Sequence, residues 1–267
     1  MKPEIFSRFA AFLERHSGIL LGEDKQYLVE TRLSRVARAR GHASVDGLID
    51  TLLTRGDRSL ARDVVDAMTT NETLWFRDGY PFLALERKFF PEALATRKTT
   101  YRIWSAACST GQEAYSISIT ADEQRVPFNV EIVGTDIAEA VVAKARRGVF
   151  DDLSLGRGLS PERKRQYFVK TADGWQIAPA ISRRVQFREG NLLALRPEPR
   201  RYDLVFCRNV LIYFSRETKA RIIDRIADTL QPGGYLLLGA SESLTQLSDR
   251  FTPERLPTGG TAYRLDD

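Results

Sequence analysis

Residues 102–117, RIWSAACSTGQEAYSI, decide the fold that the sequence predicts. The stretch begins as an apolar run, passes through the small residues Ala107 to Gly111, and continues with the composition of a helix. A strand, a tight turn of small residues and a helix form the opening unit of an open α/β sheet, in which backbone amides at the start of the helix face a ligand. The chain therefore contains a candidate cofactor-binding unit.

Downstream of this unit, apolar strand-like runs alternate with helical segments. The runs are VEIVGTDI, VQFREGN, YDLVFCRN and YLLLGASES, and the helical segments include AEAVVAKARRG and RETKARIIDRIADTL. Such alternation predicts a mostly parallel sheet with helices on both faces. Two hairpins are predicted besides: Asp173-Gly174 in a small antiparallel insertion around 152–184, and Gly259-Gly260 at the edge of the main sheet.

Upstream, the pattern is helical throughout. Apolar residues recur at intervals of three and four up to Ser17-Gly18, and a second helix is predicted from about Lys25 to Arg40. The predicted organisation is an all-helical N-terminal domain (1–75), a linker helix (76–100) interrupted at Pro91, and a Rossmann-like α/β domain (101–267).

Composition narrows the classes of protein. Of 267 residues, 43% are hydrophobic and 28% charged, which is typical of a globular protein. No run approaches the roughly 18 apolar residues of a membrane span, and the N-terminus is charged unlike a signal peptide, so a cytoplasmic protein is expected. Cys108 and Cys207 have no CxxC motif near them and are expected to be reduced thiols, with no metal site. The net charge is +5, but acidic residues are mixed with the basic ones along the chain. A mildly basic surface of this kind fits an acidic protein partner, and no nucleic-acid partner is expected.

The turn after the first strand favours S-adenosylmethionine over a nicotinamide or flavin. Gly111 is its single glycine, whereas the GxGxxG turn brings backbone close to a pyrophosphate that S-adenosylmethionine lacks. Asp136 ends the second strand, where a carboxylate can accept hydrogen bonds from both ribose hydroxyls; the alternative is a helix N-cap. With the helix-to-strand turn LQPGGY (230–235) and the terminal hairpin, these features favour a methyltransferase over a dehydrogenase, so the Rossmann-like domain is predicted to be of the class I methyltransferase type.

Over nearly its whole length the chain resembles the bacterial chemotaxis receptor methyltransferases, the CheR family. The specific motifs are TTNETLWFRD (69–78) and FCRNVLIYF (206–214), accompanied in order by RIWSAACSTGQEAYSI, VGTDI, EGNLL and LQPGGYLLLGASESL. The resemblance implies that S-adenosylmethionine is the methyl donor and S-adenosylhomocysteine the product. It also implies that the methyl acceptors are glutamate side chains of transmembrane chemoreceptors, which become methyl esters.

The resemblance further implies which residues bind the cofactor: Asn71, Thr73, Arg77, Glu113, Asp136, Asn191, Leu192, Asn209 and Val210. Within this set Glu113 would contact the methionine portion, Asp136 the ribose, and Asn191 with Leu192 the adenine. Tyr213 would lie near the transfer site. Purely structural roles are the alternatives. Glu113 would interact favourably with the helix dipole as an acidic residue in the first turn, and Tyr213 could occupy an ordinary core position.

The sequence also agrees with a transfer that needs no general base. A glutamate carboxylate is ionised at neutral pH, and both histidines, His16 and His42, lie in the predicted helical domain. We hypothesise that Arg77 and Tyr213 are catalytic, holding the reacting groups in line. Two rivals remain, a small-molecule methyltransferase and a non-catalytic adaptor that binds S-adenosylmethionine as a signal.

The second predicted helix carries Arg32, Arg35 and Arg38. The resemblance implies that this basic helix docks on the acidic helical bundle of a chemoreceptor, and the alternative is a solvated face. The segment TADGWQIAPAIS (171–182) occupies the place where some family members bind a C-terminal receptor peptide by adding a strand. The sequence leaves open whether this chain uses such a peptide.

Overall fold

The N-terminal helices form a domain with its own core. A computed structural model describes residues 1–195 and 201–266. The first four helices are α1 (Pro3–Ser17), α2 (Gln26–Ala39), α3 (Val45–Arg55) and α4 (Arg58–Met68), with a 3₁₀ turn at Glu23–Lys25 before α2. Gly18 ends α1 in the left-handed conformation, as its position predicts. The apolar faces of the four helices meet in one buried cluster that includes Phe9, Leu33 and Val64.

A second helical segment covers residues 80–95 and is continuous through the predicted interruption. It comprises α5 (Tyr80–Ala84), a π-helical turn (Leu85–Phe89) and α6 (Phe90–Ala95). Because Pro91 has no amide hydrogen and crowds the preceding turn, the local widening accommodates the proline without breaking the helix. Phe82, Leu85 and Phe89 pack in the same cluster as Ile103, so the segment predicted as a linker contributes to the core of the α/β domain.

The strands of the described residues form two sheets. They are β1 (Thr100–Ala106), β2 (Asn129–Asp136), β3 (Val149–Phe150), β4 (Phe168–Thr171), β5 (Gly174–Ile177), β6 (Val185–Glu189), β7 (Tyr202–Cys207), β8 (Leu230–Leu238), β9 (Phe251–Arg255) and β10 (Thr261–Leu265). The remaining helices are α7 (Gln112–Glu123), α8 (Glu139–Arg147), α9 (Asp152–Leu155), α10 (Pro161–Tyr167), α11 (Pro179–Ser182) and α12 (Arg216–Thr229). The large sheet has the order β6-β2-β1-β7-β8-β10-β9. Its first five strands are parallel, and β10 is antiparallel to both of its neighbours, as predicted.

The predicted insertion is a three-stranded antiparallel sheet in the order β3-β5-β4. The tight turn at Asp173-Gly174 joins β4 to β5, which confirms that hairpin. The strand at 149–150, which the sequence did not reveal, pairs with β5. Consequently β5, the strand within TADGWQIAPAIS, is central, and β4 has the edge to which a peptide strand could be added.

The predicted turn LQPGGY is part of a strand. Strand β8 begins at Leu230, directly after α12, and the register with β7 shifts between Tyr202 and Leu204. Gly233 has a φ of +70° there, a left-handed conformation at an irregularity of the strand. The glycine pair therefore creates a bulge in the strand, and the prediction of a separate turn was wrong.

Three further findings concern the whole chain. Cys108 and Cys207 are free and buried, as predicted. Among the helices described, none combines the length and apolar character needed to cross a bilayer. In the described ranges no cluster of three or more His, Cys, Asp or Glu side chains could hold a metal ion.

Candidate active site

A cavity of about 250 Å³ lies where the carboxyl ends of the parallel strands meet the helical domain. Its walls contain every position predicted for the cofactor and for catalysis, together with Arg32: Asn71, Thr73, Arg77, Glu113, Asp136, Asn191, Leu192, Asn209, Val210 and Tyr213. The ten predicted residues come from five separate stretches of sequence, and Arg32 comes from a sixth. The structure therefore brings the predicted set together, and the role of each residue stays a prediction.

The loop after β1 forms one wall in a strained conformation. Ala107 and Ser109 have φ angles of +60° and +51°, values that side chains other than glycine adopt at a cost of about 1–3 kcal/mol. Their neighbour Cys108 also faces the cavity, while its thiol is deeply buried and burial raises its pKa well above the ordinary value. Such strain is concentrated at sites where the backbone must present particular atoms to a ligand.

Gly111 was predicted to let the turn approach a ligand, but the structure shows that it allows close packing instead. It has a φ of +95°, and a Cβ on it would lie 2.9 Å from Phe187 and 3.0 Å from Ala145. It is not among the described residues that line the cavity. The glycine is required for close packing of α7 on the sheet, and the loop reaches the cavity through residues 107–109 instead.

Asp136 links the loop after β1 to the start of α8 at the cavity wall. Its Oδ2 accepts a hydrogen bond from the Ser109 amide at 2.8 Å, and its Oδ1 accepts one from the Ala138 amide at 3.0 Å. Burial raises the pKa of this carboxyl despite these hydrogen bonds. The N-cap of α8 is Ala138, which has no side-chain cap, so Asp136 is not the helix cap proposed as its alternative role.

Arg208 is a buried residue at this site that sequence reasoning missed. One guanidinium nitrogen donates to Glu113 Oε2 at 2.8 Å, and the other donates to Asp78 Oδ2 at 2.7 Å and to the Arg77 carbonyl at 2.8 Å. Glu113 also accepts a hydrogen bond from Ser105 Oγ at 2.7 Å. Arg208 thus joins the loop after β7 to α7 and to the segment that carries Arg77. Its position inside the motif FCRNVLIYF was the available signal.

The segment between α4 and α5 is anchored by Trp75. Its ring packs edge-on against Phe150 and Phe168, with centroids 5.0 and 5.4 Å away. Downstream of this anchor, the Arg77 guanidinium donates no hydrogen bond within the described residues. Asn71 is tied to the loop after β1, because its carbonyl accepts a hydrogen bond from Ser109 Oγ at 2.8 Å. The caps that flank this segment are Thr69 at the end of α4 and Gly79 at the start of α5, so Asn71 and Thr73 cap neither helix.

The helical domain closes the cavity through direct contacts with the α/β domain. The Leu20 amide donates to the Tyr213 carbonyl at 2.9 Å, and Asn191 Nδ2 donates to the His16 carbonyl at 2.8 Å. Tyr213 belongs to a 3₁₀ turn (Leu211–Tyr213) and is half-buried at the cavity wall. The site is therefore built from both domains.

Helix α2 presents its three arginines to different surroundings. Arg32 is half-buried, and its guanidinium donates to the carbonyls of Met68 and Thr69 at 2.6 and 3.2 Å. Arg35 and Arg38 are exposed. The side chain of Arg32 therefore turns towards the cavity and fastens the segment after α4, whereas a part for it in a docking face stays a prediction.

The chemistry of the cavity fits S-adenosylmethionine. The buried carboxylate of Asp136 can accept hydrogen bonds from hydroxyl groups, and that of Glu113 can accept one from an ammonium. Leu192 and Val210 supply apolar surface for a base, and Arg77 supplies a cation. A cofactor with hydroxyl groups, an ammonium and an aromatic base would find a complementary group for each, and Arg77 places a cation in the same cavity.

Comparisons with known proteins agree with this chemistry. Two family descriptions match the chain: the all-alpha domain of CheR methyltransferases over residues 4–69 and their SAM-binding domain over residues 71–259. The chemotaxis protein methyltransferase of Vibrio parahaemolyticus is 48% identical over 96% of this chain and 95% of its own length. Chemotaxis protein methyltransferase 1 of Pseudomonas aeruginosa is 48% identical over 92% of each chain, and the Escherichia coli protein of the same description is 31% identical over 97% of this chain and 90% of its own.

Proposed function

Since this chain belongs to the CheR methyltransferase family and binds S-adenosylmethionine as a chemotaxis methyltransferase, we propose that it methylates glutamate side chains on the helical bundle of chemoreceptors. One observation carries the proposal: a single cavity contains the carboxylates Glu113 and Asp136 together with Arg77 and Tyr213, at the junction with the helical domain. The carboxylates suit the cofactor, and the cation suits an anionic acceptor.

Individual residues would hold the cofactor in defined ways. Asp136 would accept hydrogen bonds from the ribose hydroxyls, and Glu113 would accept one from the ammonium of the methionine portion. Asn191 and Leu192 would flank the adenine. Further contacts would come from both sides of the cavity, through Asn71, Thr73, Asn209 and Val210.

The residues present suit transfer to a carboxylate. S-adenosylmethionine, when bound, supplies a methyl group on a sulfonium. A glutamate carboxylate is ionised at neutral pH, so the chain does not need a base to activate it. Arg77, whose guanidinium has no hydrogen-bond acceptor among the described residues, would attract and orient that carboxylate, and Tyr213 would help to align it. The closed junction of the two domains would exclude water from the reacting groups.

Exposed features of both domains would bind the receptor. Arg35 and Arg38 on α2 offer positive charge to an acidic helical bundle. The edge of β4, where Val169 is exposed, could accept a C-terminal receptor peptide as an added strand. Methylation of one purified receptor with and without its C-terminal peptide tests that second contact.

Transfer of radiolabelled methyl to receptor-containing membranes tests the function. The expected result is label on the receptor that is released as methanol under mild base, the behaviour of a carboxyl methyl ester. Matched controls are the Asp136→Asn enzyme and a receptor whose candidate glutamates are replaced by alanine. Cofactor binding without transfer would identify an adaptor, and label found only on small molecules would identify a different methyltransferase.

A further inference from the structure

The loop after β7 contains little regular secondary structure, so few hydrogen bonds within the loop stabilise it. Residues 208–214 contain one 3₁₀ turn, and Asn209 within them has a φ of +57°. Backbone amides in such a segment need acceptors from elsewhere in the protein. The loop also forms a cavity wall, because Asn209, Val210 and Tyr213 all line it.

Glu242, in the loop after β8, supplies those acceptors. Its Oε2 accepts hydrogen bonds from the amides of Asn209 at 2.6 Å and Gly239 at 2.8 Å, and its Oε1 accepts one from the amide of Leu211 at 2.9 Å. Bonds from backbone amides to an ionised carboxylate are shorter and stronger than those between neutral groups. One side chain thus ties the loop at two points, one on each side of Val210.

The atoms around the Glu242 carboxylate are tightly packed. A Cβ on Gly239 would lie 2.6 Å from Asn209 Nδ2 and 2.7 Å from Glu242 Oε2, so only glycine fits there. At its far end the same loop presents the Tyr213 carbonyl to the Leu20 amide of the helical domain. Glu242 therefore holds the inner end of a loop whose outer end contacts the domain that closes the cavity.

We propose that Glu242 is a positioning residue for methyl transfer: its carboxylate fixes the backbone of residues 209–211 and thereby the placement of Asn209 and Tyr213 in the cavity wall. The inference rests on the proposed function, because it concerns the transfer that Tyr213 serves. A displacement of reacting groups by about 1 Å can slow a reaction roughly a hundredfold, so the loop backbone is a sensitive point.

The test combines hydrogen exchange with kinetics on the full chain. Glu242→Gln keeps the shape of the side chain but removes the charge and replaces one acceptor oxygen with an amino group, so at least one of the three amides loses its partner. Ser241→Ala, at an exposed neighbouring position, is the matched control. In the variant, amide exchange in 208–214 should accelerate at least tenfold while exchange in β1 stays slow. The single-turnover rate at saturating S-adenosylmethionine should fall about tenfold or more.

Several results would overturn the proposal. They are unchanged loop exchange in Glu242→Gln, faster exchange with an unchanged single-turnover rate, or an equal effect of Ser241→Ala. A lowered melting temperature with the rate preserved would show a merely structural role. Wild-type protein supplies a further test that needs no variant, since the amides of Asn209 and Leu211 must exchange more slowly than the amide of the exposed Asp249. If wild-type enzyme itself methylates no receptor, the proposed function fails, while the exchange measurements still decide whether Glu242 holds the loop.

Discussion

At the scale of single residues, Asp136 is a carboxyl group whose binding role and burial oppose one another. Burial raises its pKa, whereas hydroxyl groups of a ribose would bind to the ionised form. Affinity for S-adenosylmethionine should therefore decline as the pH falls through the raised pKa, starting above the value of about 3.9 that is usual for aspartate. Dissociation constants measured from pH 7 down to pH 4 check this, with Asp136→Asn expected to bind weakly at every pH.

The ionisation of Asp136 should change the free energy of unfolding in the opposite direction from cofactor affinity: affinity rises with pH, whereas stability falls. Because the folded pKa is raised above the unfolded one, the stability that Asp136 contributes is present below the unfolded pKa and is lost as the pH rises through the folded pKa. The difference in unfolding free energy between wild type and Asp136→Asn should shrink between pH 4 and pH 7. The variant keeps a single acceptor oxygen, so the amide of either Ser109 or Ala138 loses its partner at every pH, which shifts the curve without changing this slope. A difference that grows with pH would contradict the burial argument.

Arg77 and Tyr213 are the side chains on which transfer itself should depend. With cofactor saturating, Arg77→Ala should lower the single-turnover rate by roughly a hundredfold, because a preorganised cation facing the acceptor is lost. Tyr213→Phe removes one hydroxyl and should cost about tenfold. Rapid quench with radiolabelled cofactor measures both rates, and Arg87→Ala, an exposed arginine on the π-helical turn, is the control. Intact transfer in either variant would remove that residue from the catalytic set.

At the scale of elements, the segment between α4 and α5 is anchored in the apolar core by the side chain of Trp75. Trp75 is 1% exposed, and the backbone of Gly158 packs so closely on it that a Cβ would lie 2.2 Å from the Trp75 carbonyl oxygen. Trp75→Ala should reduce the unfolding free energy by about 3–5 kcal/mol, as for other large buried side chains. Trp75→Phe should cost much less, since the indole nitrogen has no hydrogen-bond partner among the described residues. Denaturant titration of both variants checks the order; equal losses would contradict it.

Elements with a regular period could be predicted, and irregular ones could not. The amphipathic helices and apolar strands follow from local spacing, as in α1, β2 and β7. The π-helical turn before Pro91 and the bulge at Gly233 depend on whether packing tolerates a local widening, which local sequence does not encode. Their flanking elements were predicted correctly, and only the way the chain passes through them differed.

The site was predictable where it depends on strand ends and on motif resemblance. Asp136 and Asn209 lie at the carboxyl ends of β2 and β7, the two parallel strands that flank β1, so their convergence follows from the topology. Arg208 was missed because its partners Glu113 and Asp78 are 95 and 130 positions away in the chain. Gly111 was misinterpreted because a glycine that packs against Phe187 looks, in sequence, the same as one that approaches a ligand.

At the scale of the whole molecule, the helical domain is part of the active site as well as a cover for it. Arg62 forms an ion pair with Glu139 at 2.7 Å, and Asp66 accepts a hydrogen bond from the Ala140 amide at 3.3 Å, both at the start of α8. This helix begins three residues after Asp136. The same domain therefore contacts the Asp136 side of the cavity through α4 and the Tyr213 side through Leu20.

At the scale of the whole molecule, helix α2 contacts the cavity on one side and is exposed on the other. Substitutions on its exposed side should therefore change receptor binding without changing cofactor binding. Arg32 faces the cavity, whereas Arg35 and Arg38 are exposed and should act on the receptor alone. The double change Arg35→Glu with Arg38→Glu should raise the apparent KM for receptor roughly tenfold at low salt, since like charges across an interface slow encounter. The dissociation constant for S-adenosylmethionine should stay the same.

A matched control decides whether position or net charge produces that effect. Arg55→Glu with Arg58→Glu makes the same charge change at exposed positions of the helical domain, around the junction of α3 and α4. If α2 is the docking face, the control pair should leave KM for receptor nearly unchanged, and the difference between the pairs should shrink as salt screens the charges. Equal rises in KM for both pairs would show a general charge effect, and weaker cofactor binding in the α2 pair would show that the change reaches the cavity through Arg32.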